Sequence, residues 1–422
     1  MVRGCPSQDK GGGLKIRWRR PAWVQIPPPA PNSIDLNKLF NYDSELIKCL
    51  SRIYGDRLRD FLTSILYPPK RYYIRVNVLK ISPGELIDIL RSKGFDVYRD
   101  EYIDEALYFK IQGPFNIPLV DKVVVVDKYT AESVYLGANV YAPGVVGISE
   151  GVRKGDEVNI VSRNGILVGY GVVVEEPEKL KVSRKGLFVE TVISRYNAPK
   201  LHEMEEYKLG YFYEQSYPSI LTSKILNPQP GDVVVDMCAA PGGKTGHIVE
   251  LTKGKAKIIA FDHSGRKVEK LRENLRRLGH EKYVDVYRAD SRYLHIDYPW
   301  IKADKTVLDP PCSALGVIPK LYDEKSYRDV VNYMNYQIQF LKTAYHILKP
   351  KGLLVYSTCT VTIEENESVI GYAQKIGFKV IDIVSPIGSK GIGGYDFIGK
   401  VLRFHPHIHG TTGYFIALLM KV

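Results

Sequence analysis

Five short apolar runs in the second half of this 422-residue chain, at 232–236, 257–261, 284–287, 305–308 and 353–356, alternate with stretches of helical periodicity such as 268–278 and 334–347. Each run is long enough for a buried strand and too short for a helix, and each intervening helix must bury its apolar stripe against the sheet it returns to. The alternation therefore predicts an α/β domain over 231–422, one doubly wound sheet closed by a tail strand over 414–421. Open sheets of this kind place their chemistry at the carboxyl edge of the strands, so the residues just past each run matter most. Those residues are Asp236 and Cys238, Asp262, Asp290, Asp309 with Cys312, and Cys359.

Five cysteines are too few for a disulfide scaffold, and Cys5 and Cys49 have no recognisable motif around them. A reduced, intracellular and cytoplasmic protein is the natural expectation. Cys312 follows Asp309-Pro310-Pro311, where two prolines stiffen the backbone, and Cys359 sits among Ser357, Thr358 and Thr360. Buried small apolar groups or a metal pair are the alternatives to reacting thiols. Neither a Cys-x-x-Cys nor a close Cys-His spacing supports metal, and no metal site is expected.

The run Asp236-Met237-Cys238-Ala239-Ala240-Pro241-Gly242-Gly243-Lys244-Thr245 joins the first strand to a helix. Its small residues let a ligand approach the backbone, and the helix amino terminus offers unpaired N–H groups. It lacks the first glycine of the phosphate-binding pattern G-x-x-x-x-G-K-[ST], and G-x-G-x-x-G is absent, which argues against an ATPase or a dinucleotide site. Asp262 is placed to accept both hydroxyls of a ribose, and Asp290 to accept from an adenine amino group. Either aspartate alone would serve equally well as a helix cap; three successive strand ends together favour adenosine binding.

The rest of the chain divides by composition. Residues 1–33 combine basic groups, Gly11-Gly12-Gly13 and a proline cluster, and read as a disordered tail without the apolar core of a signal peptide. Residues 34–111 mix helical stretches with one strand near 72–78, a small α/β domain; 196–230 reads as a return segment that completes it. From 112 to 195 the pattern changes to short strands at 123–126, 144–148, 157–161 and 166–174, with Asn164-Gly165 as a hairpin signal. Net charge is +12, from 59 Lys and Arg against 47 Asp and Glu. Such a balance favours a phosphate-rich partner, and the clusters Arg17-Trp18-Arg19-Arg20, Lys70-Arg71 and Lys181 with Arg184 and Lys185 read either as contacts to it or as solvated surface. No apolar run approaches the roughly 18 residues a bilayer requires, so no membrane association is expected.

Two resemblances sharpen this reading. Val124-Val125-Val126-Asp127-Lys128, Ala131-Glu132-Ser133-Val134 and Gly137-Ala138-Asn139-Val140-Tyr141-Ala142-Pro143 resemble the PUA domain, an RNA-binding β-pseudobarrel, and the likeness implies RNA contacts at 137–143. The 236–245 run, Leu308-Asp309-Pro310-Pro311-Cys312-Ser313-Ala314-Leu315-Gly316 and Tyr356-Ser357-Thr358-Cys359-Thr360 with Glu364-Glu365-Asn366-Glu367 resemble the Sun (Nop/Sun, RsmB-like) family of RNA cytosine-5 methyltransferases. Arg75-Val76-Asn77-Val78-Leu79-Lys80 and Arg403-Phe404-His405-Pro406-His407 are similar to its upstream strand and closing segment, so the likeness spans residue 34 to the end. An inserted PUA domain resembles the tRNA-modifying branch that acts near the acceptor end.

The resemblance implies a Rossmann-like fold and S-adenosylmethionine as cofactor, held by Cys238, Ala239, Ala240, Pro241, Gly242, Gly243, Lys244, Asp262, Asp290 and Asp309. It implies Cys359 as the nucleophile and Cys312 as the group that supports proton removal and release. Asp309 would then read the cytosine edge, and Lys244 would stabilise anionic character on the base or a nearby thiolate. A DNA enzyme would use the Pro-Cys cysteine as nucleophile; an rRNA enzyme, or a non-catalytic RNA-binding ribosome-assembly protein on the same scaffold, are the further alternatives. RNA is the expected partner, with no obligate protein partner. Pro310, Ala314 and Tyr414 depart from the family's frequent alanine, glycine and phenylalanine without removing a reacting group. His405, His407 and His409 alternate as if on an extended segment, and the likeness places the first two on a wall of the active-site crevice.

Overall fold

The computed structural model describes residues 39–422. The expected tail at 1–33, with Cys5 and the basic cluster at 17–20, and the first residues of the 34–111 domain lie outside the described residues. The chain forms two units, one from 112–197 and one that joins the segment before it to 198–422.

The large sheet of the second unit has eight strands, numbered in chain order: β1 Val233–Asp236, β2 Lys257–Asp262, β3 Val284–Arg288, β4 Ala303–Leu308, β5 Leu348–Thr358, β6 Phe378–Ile381, β7 Leu402–Phe404 and β8 Tyr414–Lys421. Their order is β3-β2-β1-β4-β5-β8-β6, with β7 paired to β8. The first five are parallel and β8 runs against β5 and β6. Because helices cover both faces, alternate residues feed two cores: Val234, Ile258, Val307 and Val355 on one side, Val235, Ile259, Leu308 and Leu354 on the other. Strand order reverses between β1 and β4, which opens a crevice where the segments bearing Cys238 and Cys312 leave the sheet. Two elements run longer than expected. The helix Tyr327–Ile347 begins seven residues before position 334, at a capping box of Ser326 and Asp329, and β5 extends to both sides of 353–356.

The segment before residue 112 holds more sheet than its sequence suggests. Phe212–Glu214, Arg71–Val76, Ala106–Lys110 and Val97–Arg99 form a four-stranded antiparallel sheet in that order. Of these only Arg71–Val76 matches an expected strand: Val97–Arg99 and Phe212–Glu214 are too short to show a period, and Ala106–Lys110 is buried at four successive positions and does not alternate. In the other unit, six strands pair in the order Val140–Tyr141, Leu187–Ser194, Leu167–Val173, Glu157–Ser162, Val123–Val126 and Val145–Ile148. Gly171 allows this close pairing, since a Cβ there would meet Glu190 O at 2.3 Å. An antiparallel bridge between Gln112 and Asn197 closes the unit at its two ends. No helix among the described residues is long and apolar enough to cross a membrane.

Three histidines of the second unit are buried without charge. Burial pushes His247 down to about 4, and His280 and His405 to about 3. A histidine held below its unfolded value near 6.5 takes up protons more readily once unfolded, so its contribution to stability is present above that pH and lost as pH falls toward the folded value. Urea melts should therefore show stability declining steadily from about pH 6.5 to about pH 4. A flat profile across that window would remove these side chains from the acid response.

Candidate active site

Cys312 follows β4 and Cys359 follows β5, and the pairing of those strands brings the two sulfurs to 3.4 Å. Gly316 completes the juxtaposition: its N–H donates to Cys359 O at 3.0 Å, while Gly413 N–H donates to Gly316 O at 2.7 Å. A Cβ on Gly316 would lie 2.4 Å from Gly413 O, so these two backbones meet only as glycines. Ala314, between them and Cys312, stands at φ +57°, a left-handed conformation that glycine adopts more readily than alanine. Lys320 Nζ donates to its carbonyl at 2.8 Å and holds the turn.

A cavity of about 220 Å³ opens on both thiols and is also lined by Cys238, Asp262, Asp290 and Asp309. All three cysteines at strand ends thus share one crevice. The Cys312 thiol is pushed well up, first by its contact with Cys359, then by burial and by the charges of Glu365 and Asp309. Cys238 is pushed up by burial and by the surrounding aspartates.

Lys244 Nζ donates to Asp309 Oδ2, and Ser357 Oγ donates to Asp309 Oδ1 at 3.2 Å. Burial opposes the charge on Lys244, but Asp309 outweighs it and the ammonium is retained. Tyr414 closes this group, its hydroxyl donating to Ser357 Oγ at 3.3 Å, so the departure from phenylalanine adds a polar link as well as a ring. Beneath it, Asp236 accepts from Thr245 Oγ1 at 2.7 Å; burial lifts its carboxyl to about 6 against that bond and the nearby Lys244. A second cavity of about 240 Å³ adjoins the same loop, with Ala239, Ala240, Pro241, Gly243, Lys244 and Asp309 in its wall. Gly242 alone of the cofactor run lines neither cavity. It has φ +111° and a Cβ there would approach Leu271 at 2.9 Å, so it serves the turn and helix packing.

Asp262 ends β2, largely buried, with Oδ1 accepting Ser264 N–H at 3.1 Å. Asp290 lies two residues past β3, where Arg292 holds its carboxylate through Nε at 2.9 and 3.1 Å and through Nη2. Sequence reasoning missed Arg292, although a cation two positions from the aspartate was the available signal. It also missed Tyr336, which lines the cavity and lies beneath the Arg292 guanidinium at 4.4 Å. The histidine segment differs from expectation. Pro406 at a first helical position turns 406–409 into a short helix, and His405 packs against Tyr54, its Nδ1 3.1 Å from the hydroxyl. Neither His405 nor His407 lines the crevice. In the other unit, Arg184 donates to the carbonyls of Ala142, Pro143 and Val145, fastening the 137–143 loop, so this guanidinium is engaged with backbone.

Three carboxylates in one crevice repel a polyphosphate and attract a cation, while ribose hydroxyls and an amino group find acceptors there. That set fits the sulfonium nucleoside S-adenosylmethionine. On a sheet of this order it defines a methyltransferase that uses S-adenosylmethionine. A family model described as 16S rRNA methyltransferase RsmB/F matches residues 223–420, and one for the PUA domain matches 122–193. The chain is 41% identical over 391 residues to the tRNA (cytosine(72)-C(5))-methyltransferase of Pyrococcus horikoshii, across 92% of this chain and 99% of that protein. It is 28% identical over 368 residues to the tRNA (cytosine(72)-C(5))-methyltransferase NSUN6 of Homo sapiens, across 78% of each. The crystal structure of NSun6 from Pyrococcus horikoshii with SFG matches with a TM-score of 0.83 and 42% identity, over 90% of this chain and 98% of that one. This chain belongs to the Sun family of RNA cytosine-5 methyltransferases, with a PUA domain through which it binds RNA.

Proposed function

We propose that the RNA is a tRNA, methylated at a cytosine near its acceptor end through a covalent bond between Cys359 and C6. The observation that carries the substrate is the extent of the likeness to tRNA (cytosine(72)-C(5)) relatives, which spans the PUA segment as well as the catalytic segment. The PUA domain then holds the folded RNA by shape and phosphate contacts while the crevice treats one base. Methyl transfer from labelled S-adenosylmethionine to tRNA and to rRNA, followed by bisulfite sequencing, tests this. Label should enter tRNA at one cytosine near the acceptor end; label confined to rRNA overturns it.

Cytosine C5 is too weak a nucleophile to be methylated directly. Attack of the Cys359 thiolate at C6 moves the ring electrons toward C5; Asp309 at the N3 and N4 edge accepts from the amino group and orients the ring, and the Lys244 ammonium beside it offsets the negative charge that develops. S-adenosylmethionine supplies the electrophilic methyl group. The C5 proton then passes to a base, a role in which we place the Cys312 thiolate, and its C–H electron pair restores the C5=C6 double bond as the C6–S bond breaks and that bond's pair returns to Cys359. Lys244, paired to Asp309, holds that carboxylate in place. We place the enzyme in the cytoplasm, where thiols remain reduced.

We assign Asp262 to the ribose, Asp290 to the adenine edge, and 238–244 to the remainder of the cofactor. Asp262→Ala should weaken S-adenosylmethionine binding by about 1 to 3 kcal/mol, since the hydroxyls lose a charged acceptor. Unchanged affinity by calorimetry would refute the ribose assignment.

A further inference from the structure

Two reacting sulfurs on separate strand ends need something that fixes one segment against the other. Glu365 lies fully buried beside the segments that carry them and lines neither cavity. One carboxylate oxygen accepts Ser313 N–H at 2.8 Å and Gln337 Nε2 at 3.1 Å; the other accepts the Ser313 hydroxyl and Thr362 Oγ1 at 3.1 Å. Ser313 is the residue after Cys312, and its hydroxyl lies 2.6 Å from that of Thr360, the residue after Cys359. Gln337 also donates to Pro311 O at 3.0 Å, so the residues on both sides of Cys312 are tied to this one carboxylate or to its partner. Tyr356, at the end of β5, donates to the Glu365 carbonyl at 2.7 Å.

A carboxylate excluded from water is costly, and an apolar side chain of similar size would usually fill such a place with less penalty. Here three donors converge on it from the two segments that carry the thiols, and a fourth, from Gln337, comes from the helix Tyr327–Ile347. We infer that Glu365 is a positioning residue that holds Cys312 in contact with Cys359, acting through Ser313 and Thr362 and touching neither base nor cofactor. The inference rests on the two-thiol reading above only for its effect on turnover; the sulfur separation it sets can be measured without RNA.

The closing experiment compares the full-length wild type with Glu365→Ala, Glu365→Gln and the double variant Ser313→Ala/Thr362→Val. Diamide, an azo oxidant, takes two electrons and two protons from a pair of touching thiols as the S–S bond forms, and peptide mapping by mass spectrometry gives the rate of the Cys312–Cys359 link. Glu365→Ala should slow that rate, and lower kcat by about a hundredfold, as a displacement near 1 Å does at a reacting centre. Affinity for S-adenosylmethionine should change by less than about twofold, since Asp262, Asp290 and the 238–244 loop make no bond to Glu365. Glu365→Gln should recover most of the cross-linking, because the amide oxygen can take Ser313 N–H while the two hydroxyls rotate to face the NH₂. The double variant, which keeps the carboxylate, should share the direction of Glu365→Ala at smaller size and serves should that protein fail to fold. A lowered melting temperature with unchanged cross-linking rate and kcat per folded molecule, in either the alanine or the double variant, would reduce Glu365 to a packing role and overturn the inference. If a Cys312→Ala enzyme turned over normally, the two-thiol reading would fall, and the positioning role would still stand or fall on the cross-linking rate.

Discussion

Replacing Cys359 with alanine is expected to bring methyl transfer to background, a loss on the order of 10⁵ or more by analogy with other covalent enzymes stripped of their nucleophile. No protein should then migrate with RNA on a denaturing gel. Cys312→Ala should behave differently, because attack at C6 and methyl transfer need only Cys359, whereas release needs the neighbouring thiol 3.4 Å away. Protein trapped on methylated RNA is the expected product, and it should vanish when Cys359 is also replaced. An adduct in the Cys359 variant together with none in the Cys312 variant would exchange the two roles.

The next largest effect is expected far from the thiols. Arg75 is fully buried at the end of the strand Arg71–Val76, with Nε and Nη2 donating to Glu250 at 2.7 and 2.9 Å, and Nη1 donating to Gln215 and, at 2.6 Å, to Gly243 O in the cofactor loop. Arg75→Ala leaves the Glu250 carboxylate buried without its partner, which should cost about 3 to 5 kcal/mol in a urea melt. It also frees the carbonyl of Gly243. The pair Arg75→Met/Glu250→Leu separates these two consequences, since apolar replacement of a buried ion pair often restores stability while the loop remains untied. Stability near that of the wild type with weakened S-adenosylmethionine binding is the expected result. Full recovery of binding in the double variant would deny Arg75 any hold on the loop.

What the sequence made legible follows from periodicity and punctuation. The buried parallel strands announce themselves as Val- and Ile-rich runs, and because their order fixes which ends adjoin the crevice, Cys238, Cys312, Cys359, Asp262, Asp290 and Asp309 could be read into one site before any coordinates. Three-residue strands such as Val97–Arg99 and Phe212–Glu214 carry no such signal, since their placement is decided by the neighbours they pair with. Support residues were illegible for a related reason. Nothing local distinguishes Arg292 from a surface charge, and although Arg75 and Glu365 fall in segments that resemble the family, the groups they hold are brought near only by folding. His405 to His409 misled because alternation suggests a strand, while a proline at the first helical position favours a turn of helix.

The bridge between Gln112 and Asn197 bears on the order in which the chain can fold. Strand Phe212–Glu214 must find Arg71–Val76 across the whole inserted unit, and closing so long a loop is paid in chain entropy before any pairing repays it. If the insert folds first, its two ends are already pinned together, and the loop left to close between Val76 and Phe212 shrinks from about 135 residues to about 50, easing closure by about 0.9 kcal/mol. The RNA-binding insert is then a kinetic clamp for the host sheet. Substitutions that loosen the insert should slow the assembly of the catalytic unit even where they touch none of its residues.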